Sequence, residues 1–198
     1  RQNLEVRDYR LAIVNYQNAA TAFDAAEKGS RASTVKARID DLGFAALDPG
    51  NYQIASTKLE SVNREVAAAP SVAQDAAEEA LLRFNLALSK SWELSAGSRR
   101  ARAEVYKRQS ESIKAEVAVR VQFTEAKSVW DAATANQAAG RHEEAAPLFD
   151  EAERRFKVAY EMAATKKEAA EAAMRAAAEK AAESSAILKQ GDAALAGE

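Results

Sequence analysis

The sequence predicts an all-α protein of about six helices, and three observations support this. Ala supplies 49 of the 198 residues, and Ala is the strongest helix former. Gly and Pro, which interrupt helices, number only 7 and 3. Apolar residues recur three and four positions apart, as they do on one face of an α-helix. We therefore expect antiparallel helical hairpins, arranged as an array or as an elongated bundle.

The first two helices are predicted at 4–28 and 33–47. Gly29 and Ser30 are predicted to end the first, because Gly tolerates the left-handed conformation that often closes a helix. Asp48-Pro49-Gly50-Asn51 has the composition of a tight turn and is expected to end the second. The first helix carries a stripe in which large and small residues alternate, formed by Tyr9, Ala12, Tyr16, Ala19, Phe23 and Ala26.

The third and fourth helices are predicted at 52–67 and 72–94. The third repeats the apolar spacing of the first, and Ser71 is a candidate N-cap for the fourth. Ser95-Ala96-Gly97-Ser98 can form either a hairpin or a kink. The hairpin is favoured, because a single helix from 72 to 139 would far exceed the usual length in globular proteins.

The remaining chain is predicted to form two long helices, at 99–139 and 142–183. The first contains no Gly or Pro, and the apolar face of the second becomes mostly Ala beyond Lys166. Residues 185–198 are predicted to start another repeat. We expect one elongated helical region over 1–198, and the missing initial Met together with this incomplete last repeat suggests a fragment of a longer chain.

Two stretches share a spacing of glycine, ring-bearing and apolar residues. The first set is Leu42-Gly43, Gly50-Asn51-Tyr52, Ala55, Leu59 and Val62. The second is Gly140-Arg141-His142, Ala145, Phe149 and Ala152. Both resemble the tetratricopeptide repeat, a helical hairpin that usually spans 34 residues. Tyr9 is followed 43 residues later by Tyr52, and His142 comes 90 residues after Tyr52, so the helices are expected to be longer than in that family.

The resemblance implies a ligand groove lined by the first helix of each repeat. An aromatic side chain in such a groove would anchor a bound peptide. The alternative is that Phe44 and Trp130, the two aromatic residues at these positions, pack between hairpins. The long spacing between repeats favours this alternative. The positions that the resemblance assigns to this protein-binding groove are Asp40, Phe44, Lys127, Trp130, Thr134 and Gln137.

The sequence offers little for catalysis, so we predict a protein that is not an enzyme and that holds no cofactor or metal. It has one His and no Cys, and no Gly-rich phosphate loop or nucleophile turn. His142, Glu143 and Glu144 do not form a metal site, because adjacent side chains on a helix point about 100° apart. His142 is instead expected to replace tyrosine in a packing position.

The charge distribution argues against binding to nucleic acid or insertion into a membrane. The net charge is −2, whereas a nucleic-acid-binding protein needs surplus cations. The longest uncharged run, residues 11–23, is shorter than the roughly 20 residues needed to span a bilayer. The sequence has one basic cluster, formed by Arg99, Arg100, Arg102, Lys107 and Arg108. Such a cluster can contact an anionic polymer or lipid headgroup, but the favoured interpretation is a solvated helix face.

Two functional classes follow from these patterns. The favoured one is a non-catalytic helical-repeat scaffold that binds a protein or peptide, with a periplasmic or other cell-envelope location in bacteria, for example as a lipoprotein. The alternative is a structural rod or coiled coil that self-associates as a homo-oligomer, suggested by the long Ala faces of the last two helices.

Overall fold

The computed structural model describes the backbone of residues 2–196 and the side chains of 8–190 and 192. This part of the chain is all α-helical and contains no strand, which confirms the predicted fold class. Residues 185–196 continue the last helix, and the last two residues of the predicted extra repeat lie outside the described range. The helices are α1 (Gln2–Asp41), α2 (Pro49–Glu65), α3 (Pro70–Ser112), α4 (Ala115–Ala118), α5 (Arg120–Ala138) and α6 (His142–Ala196).

The helices form two compact units that divide the chain at Ser95. The first unit contains α1, α2 and the first part of α3. In it, α2 runs antiparallel to α1, since Tyr52 contacts Asp40 while Gly29 lies against Val62. The buried core between these helices includes Ala32, Ile39, Phe44, Ala55, Ala80, Phe84 and Ala87.

The second unit contains the rest of α3 together with α4, α5 and α6. Helices α5 and α6 are antiparallel, because Phe123 packs on Phe156 and Trp130 packs on Phe149. The core of this unit is mainly Ala and aromatic residues: Ala103, Ala115, Val119, Phe123, Ala126, Trp130, Ala133, Ala145, Phe149, Ala152, Phe156, Ala159 and Ala163.

The predicted end of the first helix at Gly29 is wrong, because α1 continues to Asp41. Gly29 is buried inside α1, where an added Cβ would lie 3.1 Å from Cγ1 of Val62. The glycine therefore permits close approach of α1 and α2 rather than a turn.

Gly43 and Gly140, by contrast, do end helices. Gly43 has φ of +68° and Gly140 has φ of +75°. After Gly43, the Phe44 amide donates to the Ile39 carbonyl at 2.9 Å, and the Gly43 amide donates to the Asp40 carbonyl at 3.0 Å. This is the Schellman pattern. It ends α1 at Asp41, so the second predicted helix, 33–47, is the last part of α1 rather than a separate helix.

The predicted hairpin at 95–98 is also wrong, since α3 runs without interruption from Pro70 to Ser112. Ala96 is fully buried and Gly97 has a helical backbone with open space around it. The chain breaks instead within the predicted helix 99–139. There Lys114 adopts a left-handed conformation with φ of +58°, and the single turn α4 leads into α5.

Candidate interaction surfaces

The two aromatic residues of the predicted groove lie in the cores. The Phe44 ring packs edge-on against Trp92 with centroids 4.9 Å apart. Trp130 is 9% exposed and packs edge-on against Phe149 and Phe156, with centroids 5.4 and 6.4 Å away. Neither ring presents a free face to a ligand. Both are packed inside the protein, in agreement with the alternative to the groove.

Two of the polar groove residues are paired with side chains outside the predicted groove set. The Tyr52 hydroxyl donates to Asp40 at 2.5 Å, and Lys36 and Tyr52 lower the pKa of that carboxyl. Lys127 pairs with Asp131 one turn later. The contact of Asp40 with Tyr52 joins α1 to α2, whereas the Lys127–Asp131 pair lies within α5.

The last two groove positions lie on α5. The Gln137 side-chain oxygen accepts a hydrogen bond from Arg100 at 2.9 Å, so it ties α5 to α3. The Thr134 hydroxyl oxygen is buried and has no hydrogen-bond partner among the described residues. It therefore contributes to packing rather than to an exposed recognition surface.

The basic cluster on α3 is largely paired with acids. Arg99 contacts Asp150 of α6 at 2.6 Å, and Arg102 contacts the same carboxylate at 2.8 Å. Arg108 contacts Glu104 at 2.6 Å, which lowers the pKa of Glu104. These pairings favour the interpretation of the cluster as a solvated, structural helix face.

His142 begins α6 and is half-buried. Its Nδ1 atom is buried with no hydrogen-bond partner among the described residues.

Within the described part of the chain, no group of three or more His, Cys, Asp or Glu side chains is arranged to hold a metal ion. None of its helices combines the length and apolarity that crossing a membrane requires.

A cleft of about 290 Å³ lies between α5 and α6 on the outside of the second unit. An adjoining depression of about 400 Å³ on α5 shares Glu125 with it. Val121 and Val158 are exposed apolar side chains here. We call this the α5–α6 surface, lined by Arg120, Val121, Gln122, Thr124, Glu125, Ser128, Glu151, Arg154, Arg155 and Val158.

Charged side chains on the α5–α6 surface pair across its edge. Arg155 contacts Glu125 at 3.1 Å and Glu151 at 2.6 Å. Arg154 also contacts Glu151 at 2.6 Å, and these two guanidinium groups lower the pKa of Glu151. The surface therefore combines exposed apolar positions with paired charges. Sequence patterns do not identify this surface, because which faces of α5 and α6 are neighbours depends on the fold.

A second exposed apolar surface lies on α1 before the first unit's core begins. Residues 8–20 are all exposed. The large apolar side chains exposed in and just after this segment are Tyr9, Leu11, Ile13, Val14, Tyr16 and Phe23. Such a concentration is unusual for a monomer surface.

The chain matches no protein-family model, and no curated protein or solved structure is significantly similar to it. The protein class is therefore defined by fold alone, as an all-α protein built from helical hairpins. The tetratricopeptide resemblance stays a prediction.

Proposed function

We propose that this protein is a non-catalytic helical scaffold that binds an amphipathic helical segment of a protein partner on the α5–α6 surface. The observation that carries the proposal is the cleft between two antiparallel helices, lined by Glu125 of α5 and by Val158 of α6, together with the adjoining depression on α5 that Val121 lines. Laying the apolar face of a helix into such a groove is a common mode of peptide recognition.

The arrangement of the surface suits a helical partner. Val121, Glu125 and Ser128 are spaced four and three residues apart on α5, and Val158, Arg155 and Glu151 have matching spacing on α6. Each helix thus presents one stripe on this surface, and the two stripes meet at the Glu125–Arg155 pair. The Glu125–Arg155 pair is exposed enough to exchange partners with charges on a bound helix.

The proposal includes a location in the bacterial cell envelope.

The test is selection of binders from a displayed library of randomised amphipathic helices. We expect enriched peptides to carry an apolar face and to bind the wild-type chain. Val121→Glu combined with Val158→Glu should raise their Kd at least tenfold, about 1.4 kcal/mol. Both residues are exposed, so circular dichroism should show an unchanged helical content.

The matched control is Val105→Glu, because Val105 is an exposed valine in the same unit but lies on α3. It should leave the Kd unchanged. Enrichment of no apolar helix, or equal binding by the double variant and the control, would refute the proposed site.

Self-association is a second candidate function, and a different observation favours it. The Ala-rich face of α6 gives self-association little support. Residues 165–190 are exposed, but the large apolar side chains described there are Met174, Ile187 and Leu188. The exposed apolar segment of α1 is denser, with six large apolar side chains in residues 8–23.

A further inference from the structure

The exposed segment of α1 contains a regular stripe in which aromatic rings and alanines alternate. Tyr9, Tyr16 and Phe23 are exposed by 73%, 81% and 78%. The alanines between and beyond them are exposed as well. We call this the aromatic stripe, formed by Tyr9, Ala12, Tyr16, Ala19, Phe23 and Ala26.

The aromatic stripe lies away from the core of its own unit. Ile39 is buried near the end of α1, and the buried positions of α1 nearest to the stripe are Ala25, Gly29 and Ala32. At 100° per residue, the stripe is centred roughly 140° around the helix from these positions. Ser30, the next position on the stripe's face, is polar. The stripe therefore runs from Tyr9 to Ala26, a distance of about 25 Å along the helix axis.

The area of the stripe is large enough for a specific interface. With about 200 Å² for each aromatic side chain, the three rings expose about 450 Å². A standard protein interface buries about 800 Å² on each partner. The rings alone thus supply more than half of that area before the alanines and the flanking Ile13 are included.

The stripe fits a second copy of the same helix better than a charged partner. Residues 11–23 contain no Asp, Glu, Lys, Arg or His, so the central part of two copies meets without like-charge repulsion. Charged side chains lie toward the two ends, where pairing Tyr9 with Ala26 places Asp8 opposite Glu27. The central part also offers no charge that would select a partner of opposite sign. Large and small side chains alternate, so each ring requires a small residue opposite it.

We propose that the aromatic stripe is the interface of an antiparallel homodimer. When residue i faces residue 35 − i of the second copy, Tyr9 faces Ala26, Ala12 faces Phe23, and Tyr16 faces Ala19. Every ring then lies over an alanine, and the two-fold axis passes between Gln17 and Asn18. A parallel, in-register pair would instead place ring on ring and alanine on alanine, which leaves gaps at the alanines. The antiparallel pairing also opposes the two helix dipoles.

The first experiment measures mass by light scattering of the full chain at about 100 µM. The dimer should have a mass of about 43 kDa, twice the 21.3 kDa of one chain. Tyr16→Glu should raise the dimer dissociation constant at least 100-fold, because it places a charge in the centre of the apolar interface. Tyr16 lies outside the unit core, so the monomeric variant should remain folded and unfold cooperatively, with a lower Tm only by the amount that dimerisation adds.

The control for this experiment is Leu82→Glu, an exposed leucine on α3 of the same unit. It should remain dimeric. A wild-type chain that is monomeric at 100 µM overturns the proposal, and so does a dimer that Tyr16→Glu leaves intact.

The second experiment tests orientation with spin labels, which the absence of Cys in the chain makes specific. A label at Ser30→Cys should lie about 40 Å from its copy in the antiparallel dimer, given 1.5 Å per helical residue. In a parallel dimer this distance would be below about 20 Å, since packed helices lie 8–10 Å apart.

A label at Gln17→Cys is the reference, because it lies beside the two-fold axis and gives a short distance in either orientation. A short distance at both positions refutes the antiparallel register. The dimer does not depend on the α5–α6 surface, so failure of the peptide-binding test leaves it standing, and loss of the dimer leaves the peptide-binding proposal intact.

Discussion

At the scale of single residues, glycine occupies three different environments in this chain. Gly29 allows α1 to approach Val62. Gly43 provides a positive φ at the end of α1. Gly97 does neither, since it lies in the interior of α3 with no atom within 4 Å of an added Cβ. Substitution by alanine should separate these roles.

Gly97→Ala should stabilise the protein by about 0.5–1 kcal/mol, because Ala has the higher helix propensity and nothing opposes its methyl group. Gly43→Ala should destabilise it by about 1–2 kcal/mol, the usual cost of a left-handed conformation in a residue with a Cβ. Urea unfolding followed by circular dichroism measures both. Destabilisation by Gly97→Ala would show that α3 is not a regular helix at this point.

The glycines also show why helix ends were hard to predict. Gly29 and Gly43 are both reasonable helix ends on sequence, and only the position of Val62 on a different helix distinguishes them. The break at Lys114 carried no signal, because a non-glycine residue rarely has positive φ. Asp48-Pro49-Gly50-Asn51 was predicted as a tight turn, but residues 49–51 form the first turn of α2 and Asp48 is its N-cap. The non-helical connection lies just before them, at 42–48.

At the scale of elements, the contact between α3 and α6 is reinforced by one shared carboxylate. Asp150 accepts from Arg99 at 2.6 Å and from Arg102 at 2.8 Å. The Ser110 hydroxyl, which is fully buried, donates to the Phe156 carbonyl at 2.9 Å further along the same pair of helices. These contacts join residues about 50 positions apart and are not visible as a sequence pattern.

Asp150→Ala should lower the free energy of unfolding by about 1 kcal/mol, since two partly exposed arginines lose a shared partner. The matched control is Asp131→Ala, which removes an exposed pair with Lys127 within one helix. It should cost no more than about 0.5 kcal/mol. Equal effects in chemical denaturation would mean that the link between α3 and α6 adds nothing beyond an ordinary helix-surface pair.

The candidate sites could be predicted from sequence only in part. The alternation of Tyr9, Ala12 and Tyr16 was apparent from spacing, but its exposure was not, because amphipathic spacing usually marks a buried face. Trp130 and Phe44 were assigned to a groove through the resemblance, whereas the structure places both in the cores. The α5–α6 surface required knowing which helices are neighbours.

At the scale of the whole molecule, ion pairs connect most helices and should set the pH range of stability. Asp24 has a lowered pKa, caused first by Lys28 and then by Gln74. Glu79 has a lowered pKa because of Lys58. Lys28 and Lys36 have raised pKa values, caused first by Asp24 and Asp40 respectively.

The directions of these pKa shifts define a pH range over which the stability of the fold should be constant. Carboxylates with lowered pKa values stabilise the fold above their unfolded pKa of about 4, and this contribution is lost as pH falls through the folded value. Lysines with raised pKa values stabilise below about pH 10.4, and that contribution is lost as pH rises through the folded value. Thermal unfolding across pH should therefore give a nearly constant Tm between about pH 5 and 9, with a decline on both sides. A Tm that rises as pH falls below 4 would contradict the assignment.

The prevalence of alanine in the cores has a consequence for temperature. Among the buried apolar residues of the described chain, 18 of 27 are Ala, including Ala55, Ala80 and Ala126. Exposure of apolar surface raises the heat capacity on unfolding, and alanine exposes little of it. The heat-capacity change should thus be small for a chain of 198 residues. Its stability curve should be shallow, so that cooling or warming within the physiological range changes the folded population very little.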